Sequence, residues 1–89
     1  MTCYMVERDL AGISMEDLGK AQQAAIQTAA RMSAEGQDIS YIRSVFSPGD
    51  GRCFCLFDGE SAGQVQSLND AAGLPYTRVV EAMDLPSPT

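Results

Sequence analysis

The sequence lacks histidine and tryptophan, and the missing histidine narrows the chemistry that the protein can perform. Without histidine it has neither the usual general base near neutral pH nor the commonest metal ligand. Basic residues are also few: six Lys and Arg stand against twelve Asp and Glu, which gives a formal net charge of −6. Because nucleic acids and anionic membranes are bound through positive surfaces, we expect neither as a partner.

The 89-residue sequence also contains no long apolar run. No stretch has the length of a membrane span, and the first ten residues have no apolar segment of signal-peptide length, so we expect a cytoplasmic protein. Three cysteines, an odd number, cannot all pair within one chain, which suits a reducing compartment. The length predicts a single domain, which we place at residues 1–85, with a loose tail at residues 86–89.

Hydrophobic patterning predicts four strands and two helices. The predicted strands lie at residues 3–8, 39–47, 53–57 and 77–85. The helices are predicted to begin after Ser14 and Ser61, because Asp17 and Gln64 follow these serines at the spacing of a capping box. The order β-α-β-β-α-β predicts an α+β, ferredoxin-like fold: a four-stranded antiparallel sheet with two helices on one face and the first and third strands at its centre.

The two faces of such a sheet should differ, because helices cover only one of them. Alternation along the strands assigns to the helix side Tyr4, Val6, Ile42, Phe46, Phe54, Leu56, Val80 and Ala82. It assigns to the other side Met5, Glu7, Tyr41, Arg43, Val45, Cys53, Cys55, Phe57, Val79, Glu81 and Met83. The second set is too apolar to face water, so we expect two chains to pack sheet against sheet as a homodimeric α/β barrel.

Polar residues of this second set form a candidate pocket at the predicted dimer interface. The candidate pocket residues are Glu7, Tyr41, Arg43, Cys55 and Glu81. The charged members form either a buried ion-pair cluster or a small-ligand pocket in which Arg43 binds an anion. The thiols of Cys3, Cys53 and Cys55 are likewise open to two interpretations, as inert core residues or as ligands for a soft metal.

Several short motifs run through the chain, namely Tyr-Met-Val-Glu-Arg at 4–8, Tyr-Ile-Arg-Ser-Val-Phe at 41–46, Cys-Phe-Cys-Leu-Phe-Asp at 53–58, Ala-Ala-Gly-Leu-Pro at 71–75 and Val-Val-Glu at 79–81. Together they resemble a bacterial family of small domains of unknown function that includes a nickel-binding, nickel-responsive, dimeric ferredoxin-like protein. Glu7, Cys55 and Glu81 match the pattern of that family. Relatives have Trp and His where this chain has Tyr41 and Arg43, and a guanidinium has no lone pair for a metal.

The resemblance implies a site for nickel or another transition metal. The candidate metal ligands are Cys3, Glu7, Cys53 and Cys55. We therefore expect a small homodimeric protein that binds a metal ion or a small ligand at or near the interface between the two sheets. Two alternatives stay open: a cofactor-free dimeric α/β-barrel enzyme of the oxygenase or isomerase type, and a structural or interaction module without a ligand.

Overall fold

A computed structural model of the chain describes residues 1–86 and 88. The elements follow in the order β1 (Thr2–Asp9), α1 (Met15–Ala34), β2 (Ser40–Ser47), β3 (Arg52–Gly59), α2 (Ala62–Ala72) and β4 (Arg78–Ala82). The four strands form one antiparallel sheet in the order β2-β3-β1-β4. This confirms the predicted α+β, ferredoxin-like order with the first and third strands at the centre. The predicted tail at 86–89 includes Ser87 and Thr89, which lie outside the described residues.

Both helices begin directly after the serine that the capping-box spacing predicted. The Oγ of Ser14 accepts a hydrogen bond from the Asp17 N–H at 3.1 Å, and the Oγ of Ser61 accepts one from the Gln64 N–H at 3.1 Å. These bonds satisfy backbone donors that have no partner in the first helical turn. Within the described residues, neither helix is long and apolar enough to cross a membrane.

The core lies between the sheet and the two helices, which pack on the same face. The helices contribute Ala25, Ala29, Met32, Val65 and Leu68 to it. We term this side of the sheet the covered face; it carries Tyr4, Val6, Arg8, Tyr41, Ser44, Phe46, Cys53, Cys55, Phe57, Val79 and Glu81. We term the other side the open face; it carries Cys3, Met5, Glu7, Arg43, Val45, Phe54, Leu56, Asp58, Arg78, Val80 and Ala82.

The predicted faces are right for β1 and wrong for β3 and β4. Val6 of the covered face lies opposite both Cys55 and Val79, so these two residues also lie on the covered face. Five residues predicted on the open side lie on the covered face: Cys53, Cys55, Phe57, Val79 and Glu81. Four residues predicted on the helix side lie on the open face: Phe54, Leu56, Val80 and Ala82. Residues 53–57 are continuously apolar, so their alternation carries no information about which face is buried.

A register shift in β2 explains a second error in the predicted faces. Tyr41 pairs with Phe57, whereas Arg43 pairs with Leu56, the next residue back along β3. The extra residue in β2 turns Tyr41 to the covered face, where its ring meets that of Phe57 edge to face at a centroid distance of 5.6 Å. Ile42, predicted on the helix side, instead lies beside Asp58 at the open face.

The last strand is shorter than the predicted span of residues 77–85. It ends at Ala82, which lies opposite Cys3 near the start of β1. β1 is the strand that pairs with β4, and it begins at Thr2. The residues after Ala82 therefore run past the end of the ladder that would hold them as a strand.

Candidate functional site

A cavity of about 130 Å³ lies between the covered face and the first half of α1. Its walls are formed by Arg8, Leu10, Leu18, Ala21, Gln22, Ala25, Ser44, Phe46, Cys53 and Cys55. α1 presents Ala21 and Ala25 toward this space, and their side chains are too short to fill it. The volume approaches that of an engineered cavity of about 150 Å³ that binds benzene, so a small organic molecule fits.

The cavity has a buried end and an accessible end. Cys53 and Cys55 are buried at one side, and Ala25 closes the α1 side. Gln22 is exposed, and Phe46 is half-buried. Solvent-accessible residues therefore border one end of the cavity.

A hydrogen-bonded chain of side chains leads from the surface to the buried thiols. Gln22 Nε2 donates to the Tyr41 hydroxyl at 3.1 Å, and this hydroxyl lies 2.7 Å from Ser44 Oγ. Ser44 Oγ donates to Cys55 Sγ at 2.9 Å, and Cys55 Sγ lies 3.9 Å from Cys53 Sγ. This side of the cavity is thus polar, whereas Leu and Ala side chains make the α1 side apolar.

Arg8 brings a positive charge into the covered face, where only 3% of its surface is exposed. Its Nη2 donates to Asn69 Oδ1 at 2.6 Å, and its Nη1 donates to the Pro75 carbonyl at 3.1 Å. Asn69 is held in turn by a bond from Nδ2 to the Val65 carbonyl at 2.8 Å. Both acceptors of Arg8 are neutral, and across residues 1–86 and 88 no acidic side chain forms an ion pair with it.

The thiol of Cys53 is neutral at physiological pH because burial raises its pKa to about 11. The neighbouring Cys55 contributes to this increase, whereas the charge of Arg8 lowers the pKa. A thiol is a nucleophile and a metal ligand only as the thiolate. At neutral pH Cys53 is therefore an uncharged thiol in the cavity wall.

The structure does not bring together the charged residues of the pocket predicted from the sequence. Glu7 lies on the open face and accepts a hydrogen bond from Arg78 Nε. Arg43 donates to both carboxylate oxygens of Asp84 at 2.9 Å. Glu81 is exposed, and its pairing with Tyr4 turns it toward the other side of the sheet. Arg43 thus pairs with an acid outside the predicted pocket, and Glu7 pairs with a different arginine.

The other two predicted pocket residues do lie close together. Tyr41 and Cys55 are joined through Ser44 in the hydrogen-bonded chain beside the cavity. Ser44, Arg8 and Gln22 were not predicted from the sequence as site residues. For Arg8 a signal was present, because it alternates in phase with Tyr4 and Val6 and so falls on the core side of β1. An arginine in that phase is a candidate for a buried functional charge.

The four predicted metal ligands are divided between the two faces. Cys53 and Cys55 lie on the covered face, whereas Cys3 and Glu7 lie on the open face because Cys3 pairs with Asp58. Partial burial raises the pKa of the Cys3 thiol, and the nearby Asp58 raises it further. Within the part of the chain that the structure describes, no group of three or more Cys, Asp or Glu side chains is placed to hold a metal ion.

The sequence and the fold of the chain were compared with those of known proteins. A family model described as nickel responsive protein SCO4226-like matches residues 4–82. The crystal structure of SCO4226 from Streptomyces coelicolor A3(2) superposes with a TM-score of 0.78 at 22% sequence identity, covering 94% of this chain and 99% of that one. A search of the curated proteins found no match. Because the family model spans nearly the whole sequence, the chain belongs to the SCO4226-like family of nickel-responsive proteins.

Proposed function

We propose that this member of the nickel-responsive family is a homodimeric binding protein that holds a small organic ligand in the cavity between α1 and the covered face. The observation that carries the proposal is the cavity itself, about 130 Å³ in volume and lined by apolar side chains on α1 and by polar groups on the sheet. Sites for small molecules are commonly concave and mostly apolar, with a few polar groups that fix the orientation of the ligand.

Nickel, which the family name suggests, does not fit the donors of a single chain. The sequence has no histidine, which is the commonest metal ligand in proteins. Among the described residues no three Cys, Asp or Glu side chains converge on one point. The proposal therefore includes no metal chemistry, and Ni²⁺ serves as a comparison ligand in its test.

The open face supports self-association as the second part of the proposal. Its apolar side chains are Met5, Val45, Phe54, Leu56 and Val80. Val45 is 60% exposed in the single chain, and the ion pairs Glu7–Arg78 and Arg43–Asp84 lie beside the apolar residues. An apolar centre with charged residues around it is typical of protein interfaces. A second copy presents the same surface, which allows a two-fold contact of sheet on sheet.

The ligand proposal is tested by filling the cavity. Ala25 lines it and is 1% exposed, so the side chain introduced by Ala25→Leu would occupy the ligand volume. We expect single-ring probes (benzoate, benzamide and benzyl alcohol) to shift the backbone amide NMR signals of cavity residues in the natural protein. These shifts should be lost in Ala25→Leu and retained in Ala71→Leu, the same change at an exposed position of α2.

Two outcomes would contradict the ligand proposal. One is the absence of any shift with all three probes in the natural protein. The other is equal binding by folded Ala25→Leu, as judged from its thermal unfolding and its amide spectrum. Binding of one Ni²⁺ per chain, measured by calorimetry, would instead contradict the conclusion that nickel does not fit the donors of this protein.

A further inference from the structure

Arg8 lines this cavity, and among the described residues its positive charge has no acidic side chain as an ion-pair partner. We propose that the ligand is a small monocarboxylate and that Arg8 is the residue that recognises its charge. This inference rests on the proposed function, because it names the chemical class of the ligand for the same cavity.

The guanidinium charge of Arg8 is buried at a cost in free energy. Arginine is almost never fully buried unless it is paired, because removing its charge from water is unfavourable. Arg8 is 3% exposed, and its two hydrogen-bond acceptors, Asn69 Oδ1 and the Pro75 carbonyl, carry no charge. An anion in the cavity would supply the missing negative charge.

A purely structural role does not account for the charge. The two bonds of Arg8 tie β1 to α2 and to the segment that follows α2, and a neutral side chain with an amide group could make such bonds without the cost of burying a cation. A guanidinium has five N–H donors, so donors remain beyond those two bonds. The charge of Arg8 also lowers the pKa of the Cys53 thiol in the cavity wall, so the two residues lie close enough to interact.

The lining of the cavity limits the ligand to one negative charge on an apolar body. Arg8 is the one charged residue among those that line it, and the net charge of the protein is −6, which disfavours a dianion. Leu10, Leu18 and Phe46 offer apolar contacts that an inorganic phosphate cannot use. A volume of about 130 Å³ accommodates a short alkyl chain or a single ring.

The test compares two probes of nearly equal shape that differ in charge. Benzoate is an anion at neutral pH, whereas benzamide is neutral. We expect the natural protein to bind benzoate at least tenfold more tightly than benzamide in titrations followed by NMR. Arg8→Gln should lower the affinity for benzoate at least tenfold, whereas Arg31→Gln, the same change at an exposed position of α1, should leave it unchanged.

A second measurement keeps the test valid if Arg8→Gln fails to fold. In the natural protein, benzoate should shift the side-chain Nε–H signal of Arg8, and benzamide should not. Equal affinities for the two probes, both lost in Ala25→Leu, would overturn the charge recognition and leave the proposed function intact. Binding of neither benzoate nor benzamide would overturn the charge recognition, and failure of benzyl alcohol to bind as well would also overturn the proposed function. Displacement of benzoate by an equal concentration of inorganic phosphate would overturn the assignment to a carboxylate.

Discussion

The thiol of Cys53 lies in the cavity wall, where its surroundings set its protonation state. Burial, the largest cause, raises its pKa from 9.0 to about 11. The folded protein therefore retains this proton at pH values where the unfolded chain has lost it. The stabilisation linked to the neutral thiol is fully present below pH 9 and is lost as the pH rises from about 9 to about 11.

We expect the free energy of unfolding to fall more steeply between pH 9 and pH 11 in the natural protein than in Cys53→Ala. The substitution removes the titrating group, so only the pH dependence of the other residues remains. Urea unfolding at a series of pH values measures the two slopes. Ser44→Ala removes a neighbouring side chain that does not titrate and should keep the natural slope. Identical slopes for Cys53→Ala and the natural protein would show that Cys53 is not the group responsible.

The turn of the hairpin between β2 and β3 is anchored by a contact with another part of the chain. The Leu10 N–H donates to the Gly51 carbonyl at 2.6 Å, which joins the turn to the segment between β1 and α1. Gly51 has φ +71, and a Cβ at this position would lie 2.4 Å from the Cα of Ala11. The residue must therefore be glycine for two reasons, its left-handed backbone and the close approach of Ala11. Since Leu10 lines the cavity, this contact also helps to shape the ligand site.

We expect Gly51→Ala to lower the free energy of unfolding by about 2–3 kcal/mol, from the strained backbone together with the displacement of Ala11. Gly49→Ala makes the same chemical change in the same turn, where φ is not positive and no atom lies within 4 Å of the added Cβ. It should change the stability by less than about 0.5 kcal/mol. Urea denaturation of both variants provides the comparison, and similar losses in the two would contradict this account of the turn.

At the scale of the whole molecule, we propose that two chains associate through their open faces. Val45 is 60% exposed and lies on this face, so a charge there would be buried without a partner in a dimer. We expect the natural protein to have about twice the 9.5 kDa mass of one chain in light scattering, and Val45→Glu to have the mass of one chain.

A matched control for this experiment lies outside the open face. Met15 is 75% exposed at the start of α1, and Met15→Glu should leave the dimer intact. A natural protein that scatters as a single chain at micromolar concentration would overturn the dimer. That result would leave the cavity proposal standing, because every residue that lines the cavity belongs to one chain.

The order of the elements and the helix starts could be predicted from residue patterns, and so could the fold. These features depend on interactions over a few residues, such as the bonds from Ser14 to Asp17 and from Ser61 to Gln64. Three of the residues in or beside the cavity, Tyr41, Cys53 and Cys55, were also named from the sequence, although on the wrong face.

Tertiary structure alone decided which face of β3 is buried, because the apolar run at 53–57 fits either side equally well. It also decided the face of β4, through the register of its pairing with β1. It also decided the ion partners: Glu7 meets Arg78 and Arg43 meets Asp84, each pair separated by more than forty residues. The cavity arises where Ala21 and Ala25 of α1 lie above Arg8 and the thiols. Such long-range contacts depend on strand register and helix placement, which local sequence patterns do not encode.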